Sequence, residues 1–188
     1  MQPRGDLGLI WFDAHMDSHT PATTPSNNIH GMPVATLLGE GDASLTEILS
    51  AHRKIKPTNL CLIGVRSFEN EEKKLLENMH VKVFYMDEIN ERGIDVIIEE
   101  ALALVTRHTV GFGISFDLDV MDPLDAPGVG SPAPDGLRAK PLLNAITVLG
   151  NHPHLVGLEV AEYNPNLDIN QQTQNFAIQL INTLFLDQ

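Results

Sequence analysis

The segment "LGLIWFDAHMD", residues 7–17, joins an apolar run to a group of acidic and imidazole side chains. Its first part, residues 7–12, has the continuous apolar character of a strand that is buried on both faces of a parallel sheet. Asp13, His15 and Asp17 follow directly, separated by single apolar residues. Because side chains two residues apart share one face of an extended segment, we expect these three to converge on one point. Converging carboxylates raise one another's pKa unless a cation lies between them, so the segment predicts a metal site.

The rest of the chain alternates between strand and helix patterns. Four further apolar runs, rich in β-branched and aromatic residues, predict strands at 59–65, 81–86, 110–116 and 155–160. Apolar residues at helical spacing predict helices at 44–52, 69–80, 93–105 and 170–185, the first with Ser44 as a possible cap. This alternation predicts a single α/β domain over residues 1–188, with a mainly parallel sheet between two layers of helices.

Composition narrows the classes of partner. The formal net charge of −13 argues against nucleic acid and anionic membranes, and it suits a cationic small substrate or bound divalent metals. No apolar run approaches the length of a membrane span, and no signal peptide is visible. The chain has 1 cysteine, Cys61, inside an apolar run, which indicates a buried core thiol and favours a reducing, cytoplasmic setting.

A second acidic motif, "ISFDLDV", repeats the two-residue spacing with Asp117 and Asp119 at the end of another predicted strand. Such a pair often caps a helix or faces water. Asp117, however, closes a strongly apolar run, where an unpaired carboxylate is costly. Oxygen and imidazole ligands from two strand ends suit Mn²⁺ or Zn²⁺ better than Ca²⁺, and a pair of such ions would activate water for hydrolysis.

Three blocks of sequence carry a family resemblance. They are "DAHMD" followed by "TPATTPSNNIHGMP", then "SFDLDVMDPLDAPGVGSP", and then "GLEVAEYNP". Together they resemble the ureohydrolase superfamily, and arginases more than agmatinases, over essentially the whole chain. The resemblance implies an arginase-like fold, a homo-oligomer (trimer or hexamer), and hydrolysis of L-arginine to urea and L-ornithine by a hydroxide on two Mn²⁺ ions.

The resemblance also implies roles for individual residues. Asp13 and Asp117 would bridge both ions, Asp17 would bind one of them, and His15 and Asp119 would bind the other.

On the substrate side, the resemblance implies that Glu162 grips the guanidinium group and that His30 shuttles protons to the leaving amine. A side chain that titrates near neutral pH suits that second step. The remaining matches are to substrate-binding positions: Ser26 and Asn28 near the α-carboxylate, Ser131 beside Glu162 in place of a threonine, and Glu69 near the α-amino group.

The chain departs from the family at several places. Family members carry an upstream Gly-Gly-Asp-His block whose histidine completes one metal site, and these 188 residues contain no such block. We therefore expect the N-terminal strands of the family sheet to be missing, one ion to be weakly held, and arginine hydrolysis to be weak or absent. His19 stands where arginases usually have an asparagine that contacts the substrate, and Asn27 replaces a common glycine.

Two alternatives stay open. One is a related ureohydrolase that acts on agmatine, another guanidino acid or formiminoglutamate. The other is a non-catalytic remnant that binds one metal or a partner subunit.

Overall fold

The computed structural model describes residues 5–150 and 152–186, and the other positions of the predicted domain lie outside the described residues. Its centre is a sheet of five parallel strands: β1 Leu7–Phe12, β2 Leu60–Val65, β3 Lys82–Tyr85, β4 Gly111–Asp117 and β5 Leu155–Ala161. The strands lie in the order β3-β2-β1-β4-β5. The order reverses between β1 and β4, and open sheets of this kind bind ligands at the carboxyl ends of the strands around such a reversal.

Helices connect and flank the strands. They are α1 Pro33–Leu37, α2 Ala43–Thr46, α3 Asn70–Asn78, α4 Met86–Arg92, α5 Ile94–Thr106, α6 Ala139–Ala145, α7 Thr147–Gly150 and α8 Gln172–Phe185. Three short 3₁₀ turns span Ile29–Gly31, Pro57–Asn59 and Leu118–Val120. The five predicted strands are confirmed, as are the helices predicted at 69–80, 93–105 and 170–185. The sequence analysis missed α1, α4, α6 and α7.

Successive side chains of the central strands enter two separate cores, and this is why the strands are continuously apolar. Ile10 and Phe12 of β1 pack in a core with α5, α6 and α8 on one face of the sheet. Trp11 packs on the other face in a core with Val34 and Leu76, from α1 and α3. The predicted α/β sandwich, with helices on both faces of a parallel sheet, is therefore confirmed.

The helix predicted at 44–52 is wrong. Helix α2 ends at Thr46, and its cap is Asp42, which accepts a hydrogen bond from the Ser44 amide at 2.8 Å. The Lys54 ammonium group donates to the Thr46 carbonyl at 2.8 Å and to the Ser50 carbonyl at 2.6 Å. The first of these carbonyls would accept the next bond of a longer helix. A single lysine therefore replaces hydrogen bonds that a longer helix would make along its backbone. The hydrophobic pattern of the sequence does not indicate this contact.

Helix α5 packs directly on β1 at Gly8. A Cβ atom at this position would lie 2.3 Å from the Val105 carbonyl oxygen, which is backbone and cannot rotate away. We expect Gly8→Ala to lower the free energy of unfolding by about 2 kcal/mol, because overpacking of a rigid contact forces the backbone to shift. The matched control is Gly157→Ala in β5, where a Cβ atom meets nothing within 4 Å. Equal denaturation midpoints for the two variants would contradict this account.

Candidate metal centre

A cleft with an internal volume of about 120 Å³ lies at the carboxyl ends of the strands. Four neighbouring strands deliver side chains to it: β1 leads into Asp17, β2 into Glu69, β4 ends at Asp117 and β5 leads into Glu162. The cleft is thus formed by segments that are far apart in the chain, and each of these segments lies at the carboxyl end of a strand of the parallel sheet.

The two acidic motifs meet in this cleft. The His15 Nδ1 atom lies 3.1 Å from Asp119 Oδ2 and 3.3 Å from Asp13 Oδ1. The ligand atoms of these three residues all lie within 4.8 Å of one another. Two atoms that each bind one divalent cation at about 2.0–2.2 Å are separated by about 3.0–3.6 Å. Asp13, His15 and Asp119 therefore have the spacing of ligands that share one ion.

The first motif reaches this geometry as a loop and not as an extension of β1. The strand ends at Phe12, and Asp17 has a φ of 49°, in the left-handed region. The prediction that Asp13, His15 and Asp17 share one face of an extended segment is therefore wrong in its mechanism. A hydrogen bond between backbone and side chain shapes the loop instead, since the His15 amide donates to Asp13 Oδ1 at 2.7 Å.

The second motif is also a turn. β4 ends at Asp117, whose Oδ1 accepts a hydrogen bond from the Asp119 amide at 2.9 Å and caps the 3₁₀ turn that follows. Asp119 Oδ1 then accepts a bond from the Ala14 amide at 3.2 Å, which ties the two motifs together. Asp117 therefore combines the capping role and the cleft-facing role that seemed to be alternatives for this pair.

Burial and mutual repulsion shape the electrostatics of the site. Burial, followed by the charge of Asp13, raises the pKa of Asp17 to about 9 and that of Asp117 to about 9. Hydrogen bonds to Asp119 and then Asp13 raise the pKa of His15 to about 11. Carboxylates gathered around an imidazole in a buried cleft form the oxygen and nitrogen donor set that Mn²⁺ and Zn²⁺ favour. The residues therefore fit a divalent metal centre.

The other predicted site residues are distributed unevenly around the cleft. His30, Glu69, Ser131 and Glu162 line it together with His15 and three aspartates of the two motifs, Asp17, Asp117 and Asp119. Ser26 and Asn28 are exposed and are not among the lining residues. The Asn28 amide donates to the Ser26 hydroxyl at 3.2 Å.

Glu162 occupies a restricted position in the cleft. Its φ of 63° is unusual for a residue with a long side chain, and such strain is concentrated at functional sites. A Cβ atom on Gly130 would lie only 3.2 Å from Glu162 Oε2, so the glycine leaves room for the carboxylate.

Two residues that support the site were not identified as such from the sequence. Trp11, predicted only as a core residue, donates from Nε1 to Asp13 Oδ2 at 2.9 Å. Arg66 donates to six backbone carbonyls from three segments of the chain: Gly64 (3.1 Å), Asp119 (2.9 Å), Val120 (3.1 Å), Met121 (3.3 Å), Ala133 (2.7 Å) and Pro134 (2.8 Å). Its guanidinium group fixes the turn that carries Asp119. Neither role has a signal in spacing or periodicity, because both depend on tertiary contacts.

The Trp11 contact leads to a testable expectation. Trp11→Phe keeps an aromatic ring in the core but leaves Asp13 Oδ2 without its indole donor. We expect the affinity of the chain for Mn²⁺ to fall by about tenfold, as is typical when an outer partner of a metal ligand is removed. Isothermal titration would measure the change. Tyr85→Phe, which alters an aromatic residue packed on the same core, should leave the affinity unchanged, and an equal loss in both variants would refute a specific role for the indole.

Comparisons with known proteins agree with this geometry. The family model described as "Arginase family" matches residues 1–186. An arginase from Bacillus caldovelox is 42% identical over 179 residues, which cover 95% of this chain and 60% of that protein. A solved arginase structure from the same organism has a TM-score of 0.94 at 41% identity, covering 97% of this chain and 61% of that one. A formimidoylglutamase structure from Bacillus subtilis has a TM-score of 0.83 at 30% identity, covering 97% and 53%.

The chain thus spans about 60% of the length of the curated arginases it matches. The match covers nearly all of these residues, including both acidic motifs and the segments that line the cleft. By sequence and by structure, the chain belongs to the arginase family.

Proposed function

We propose that this chain carries the catalytic centre of a Mn²⁺-dependent hydrolase that converts L-arginine to urea and L-ornithine. The observation that supports the proposal most directly is the convergence of Asp13, His15 and Asp119 from two strand ends. We assign Asp13 and Asp117 as ligands shared by two ions, Asp17 as a ligand of one ion, and His15 and Asp119 as ligands of the other. When bound, a metal pair would lower the pKa of water and so supply a nucleophile at neutral pH.

The remaining residues would bind and orient the substrate. We assign Glu162 to the guanidinium group, because its carboxylate lies in the cleft beside Asp117 and its charge is felt there. Ser131 lines the same cleft and is assigned beside Glu162. Holding the cation in a fixed orientation is a large part of catalysis for a resonance-stabilised group. We assign Glu69, at the α3 side of the cleft, to the α-ammonium group.

His30 is assigned to proton transfer. As the guanidinium carbon–nitrogen bond breaks, the departing δ-nitrogen of ornithine needs a proton, and an imidazole that lines the cleft can donate it. Ser26 and Asn28 precede His30 on the same exposed loop, so we assign them to the α-carboxylate at the mouth of the cleft.

Partners and location follow from the same proposal. We propose a small guanidino substrate, no nucleic-acid partner, a cytoplasmic location and a homo-oligomeric assembly. The net charge of −13 opposes polyanion binding, and Cys61 is a buried free thiol. Among residues 5–150 and 152–186, no helix has both the length and the apolar character needed to cross a bilayer.

A urea-release assay tests the proposal. We expect release from L-arginine by this chain to be weak at most, to require added Mn²⁺, to be abolished by EDTA, and to be lost in His15→Ala, which removes a metal ligand. The exposed variant His52→Asn should retain the wild-type rate. Turnover that survives EDTA, or that persists in His15→Ala, would exclude a metal-dependent reaction at this site.

A second substrate class has a specific observation in its favour. His19 stands at a substrate-facing position and its Nε2 lies 3.2 Å from Glu69 Oε2, so it changes the environment of the assigned ammonium site. Agmatine, other guanidino acids and formiminoglutamate should therefore be assayed alongside arginine. A higher kcat/KM for one of them would reassign the substrate without altering the metal centre.

A further inference from the structure

A second group of ligand-type side chains lies in the same cleft, separate from the residues assigned to the metal centre. It consists of His19, Glu69 and Glu72, whose ligand atoms all lie within 4.8 Å of one another. His19 Nε2 is 3.2 Å from Glu69 Oε2 and 3.6 Å from Glu72 Oε2. Ligand atoms about 2.0–2.2 Å from one tetrahedral Zn²⁺ ion are about 3.3–3.6 Å apart. The spacing therefore fits a shared coordination sphere as well as the Asp13 group does.

The imidazole of this group is held in an orientation suited to a ligand. The His19 side chain is only 7% exposed, and its Nδ1 lies 3.1 Å from the Thr23 hydroxyl. Metal-bound histidines typically use their second ring nitrogen to contact an oxygen acceptor of this kind. In the tautomer with its hydrogen on Nδ1, a bond to the Thr23 hydroxyl would leave the Nε2 lone pair able to bind a cation placed between Nε2 and the two carboxylates.

Glu72 is fixed in the same way. Its side chain is 4% exposed, and its two oxygens accept bonds from the Ser18 amide at 3.0 Å and the Glu69 amide at 3.1 Å. Each carboxylate oxygen keeps a second lone pair, so these bonds orient the group and leave it able to bind a cation.

The group also lacks a basic partner for two carboxylates. Within the described residues, the cation-forming side chain within 4 Å of Glu69 or Glu72 is His19 alone. We propose that His19, Glu69 and Glu72 form a further divalent-cation site, best matched by Zn²⁺. One imidazole and two carboxylates are common Zn²⁺ ligands, and nitrogen-containing sites favour Zn²⁺ over Mn²⁺ in affinity.

A consequence for the reaction rests on the proposed function. Zn²⁺ bound here would occupy Glu69, which is assigned to the α-ammonium group of the substrate, so it should act as an inhibitor that competes with arginine. The asparagine usual among arginases at the position of His19 would not provide the imidazole ligand.

A titration with Zn²⁺ tests the proposed site independently of arginine hydrolysis. In an Asp119→Asn background, which removes one ligand of the first group, we expect titration with Zn²⁺ to include a saturable site that depends on His19. Adding His19→Asn should weaken that site more than about 100-fold, which exceeds the usual effect of removing an outer partner alone. His52→Asn, an exposed histidine, is the matched control and should change nothing. Circular dichroism would verify that each variant is folded.

The Zn²⁺ titration has one result that supports the site and one that overturns it. Loss of one Zn²⁺ per chain in His19→Asn, with the His52→Asn titration unchanged, supports the site. If His19→Asn fails to fold, Glu69→Gln in the same background decides, because Glu69 is 56% exposed and tolerates substitution. Equal Zn²⁺ stoichiometry and affinity with and without either substitution would overturn the proposal. Because the readout is binding, that result would leave arginine hydrolysis untouched, and an inactive enzyme would leave the Zn²⁺ site untouched.

Discussion

Asp117→Asn is expected to abolish Mn²⁺ binding and, in the same chain without metal, to increase stability at pH 8. The substitution keeps the oxygen that caps the 3₁₀ turn through the Asp119 amide. It removes a carboxyl group whose ionised form is disfavoured by burial, Asp13 and Asp119, which together raise the pKa of Asp117 to about 9. We expect the affinity for Mn²⁺ to fall more than about 100-fold and the free energy of unfolding in EDTA at pH 8 to rise by about 2 kcal/mol.

The sign of the pH dependence follows from the direction of the pKa shift. The unfolded carboxyl has a pKa of about 3.9, so between about pH 4 and pH 9 the folded chain holds a proton that the unfolded chain has lost. The unfolded state then binds fewer protons, and the free energy of unfolding falls as pH rises through this window. The stabilising effect of Asp117→Asn should therefore be large at pH 8 and small near pH 4.5.

Denaturant unfolding in EDTA, followed by the fluorescence of Trp11, would measure the free energy of unfolding at both pH values. Glu91→Gln removes one exposed acidic group and serves as the control for net charge. Wild-type stability that rises between pH 5 and pH 8 in EDTA, or an Asp117→Asn variant less stable than the wild type at pH 8, would show that the buried carboxylates are not mutually repulsive.

Arg66→Met should produce the largest loss of stability. The side chain donates to six carbonyls, and these belong to the end of β2, the turn after β4 and the proline-rich segment beyond it. Removing the donors leaves partly buried carbonyls with fewer hydrogen-bond partners, and each unmade bond costs free energy on its own. We expect the free energy of unfolding to fall by about 3 kcal/mol or more, in the upper range for single substitutions.

Two further variants distinguish the effect of the positive charge at Arg66 from the effect of its donor geometry. Arg66→Lys retains the charge but not the planar fork of donors, so we expect it to recover less than half of the loss. Arg53→Met, at an exposed arginine, should have little effect. Because the turn that carries Asp119 is fixed by Arg66, Mn²⁺ affinity should decrease in the order Arg, Lys, Met, as measured by titration. Full rescue by lysine would indicate that charge alone matters.

Much of this fold was readable in the sequence for a simple physical reason. Strands buried on both faces must be continuously apolar, and all five runs of that kind became strands of the sheet. The acidic residues that end β1 and β4 were recognisable because a carboxylate directly after such a run is costly unless something balances it. Parallel order then brings those ends together.

The contacts that fix the site were not readable, because they join residues without a shared pattern. Trp11 looked like any core aromatic, yet its ring nitrogen reaches Asp13. Glu72 is one of several acids at the start of α3, and only the folded chain places it against His19. The helix predicted at 44–52 failed for a related reason, since Lys54 binds carbonyls that local propensity assigned to the helix.

The position of β1 has a consequence for how the chain is made. This strand precedes the other four strands in the chain, yet it lies at the centre of the described sheet, between β2 and β4. Its second neighbour, β4, becomes available only after Gly111–Asp117 has been translated, so until then one edge of β1 lacks its native partner. Pairing of such distant segments is slow and leaves edges open to aggregation. The same delay keeps Asp13 and Asp119 apart until β4 has been translated, so the nascent chain gathers its repelling charges only after β1, β2, β3 and α5 have been made.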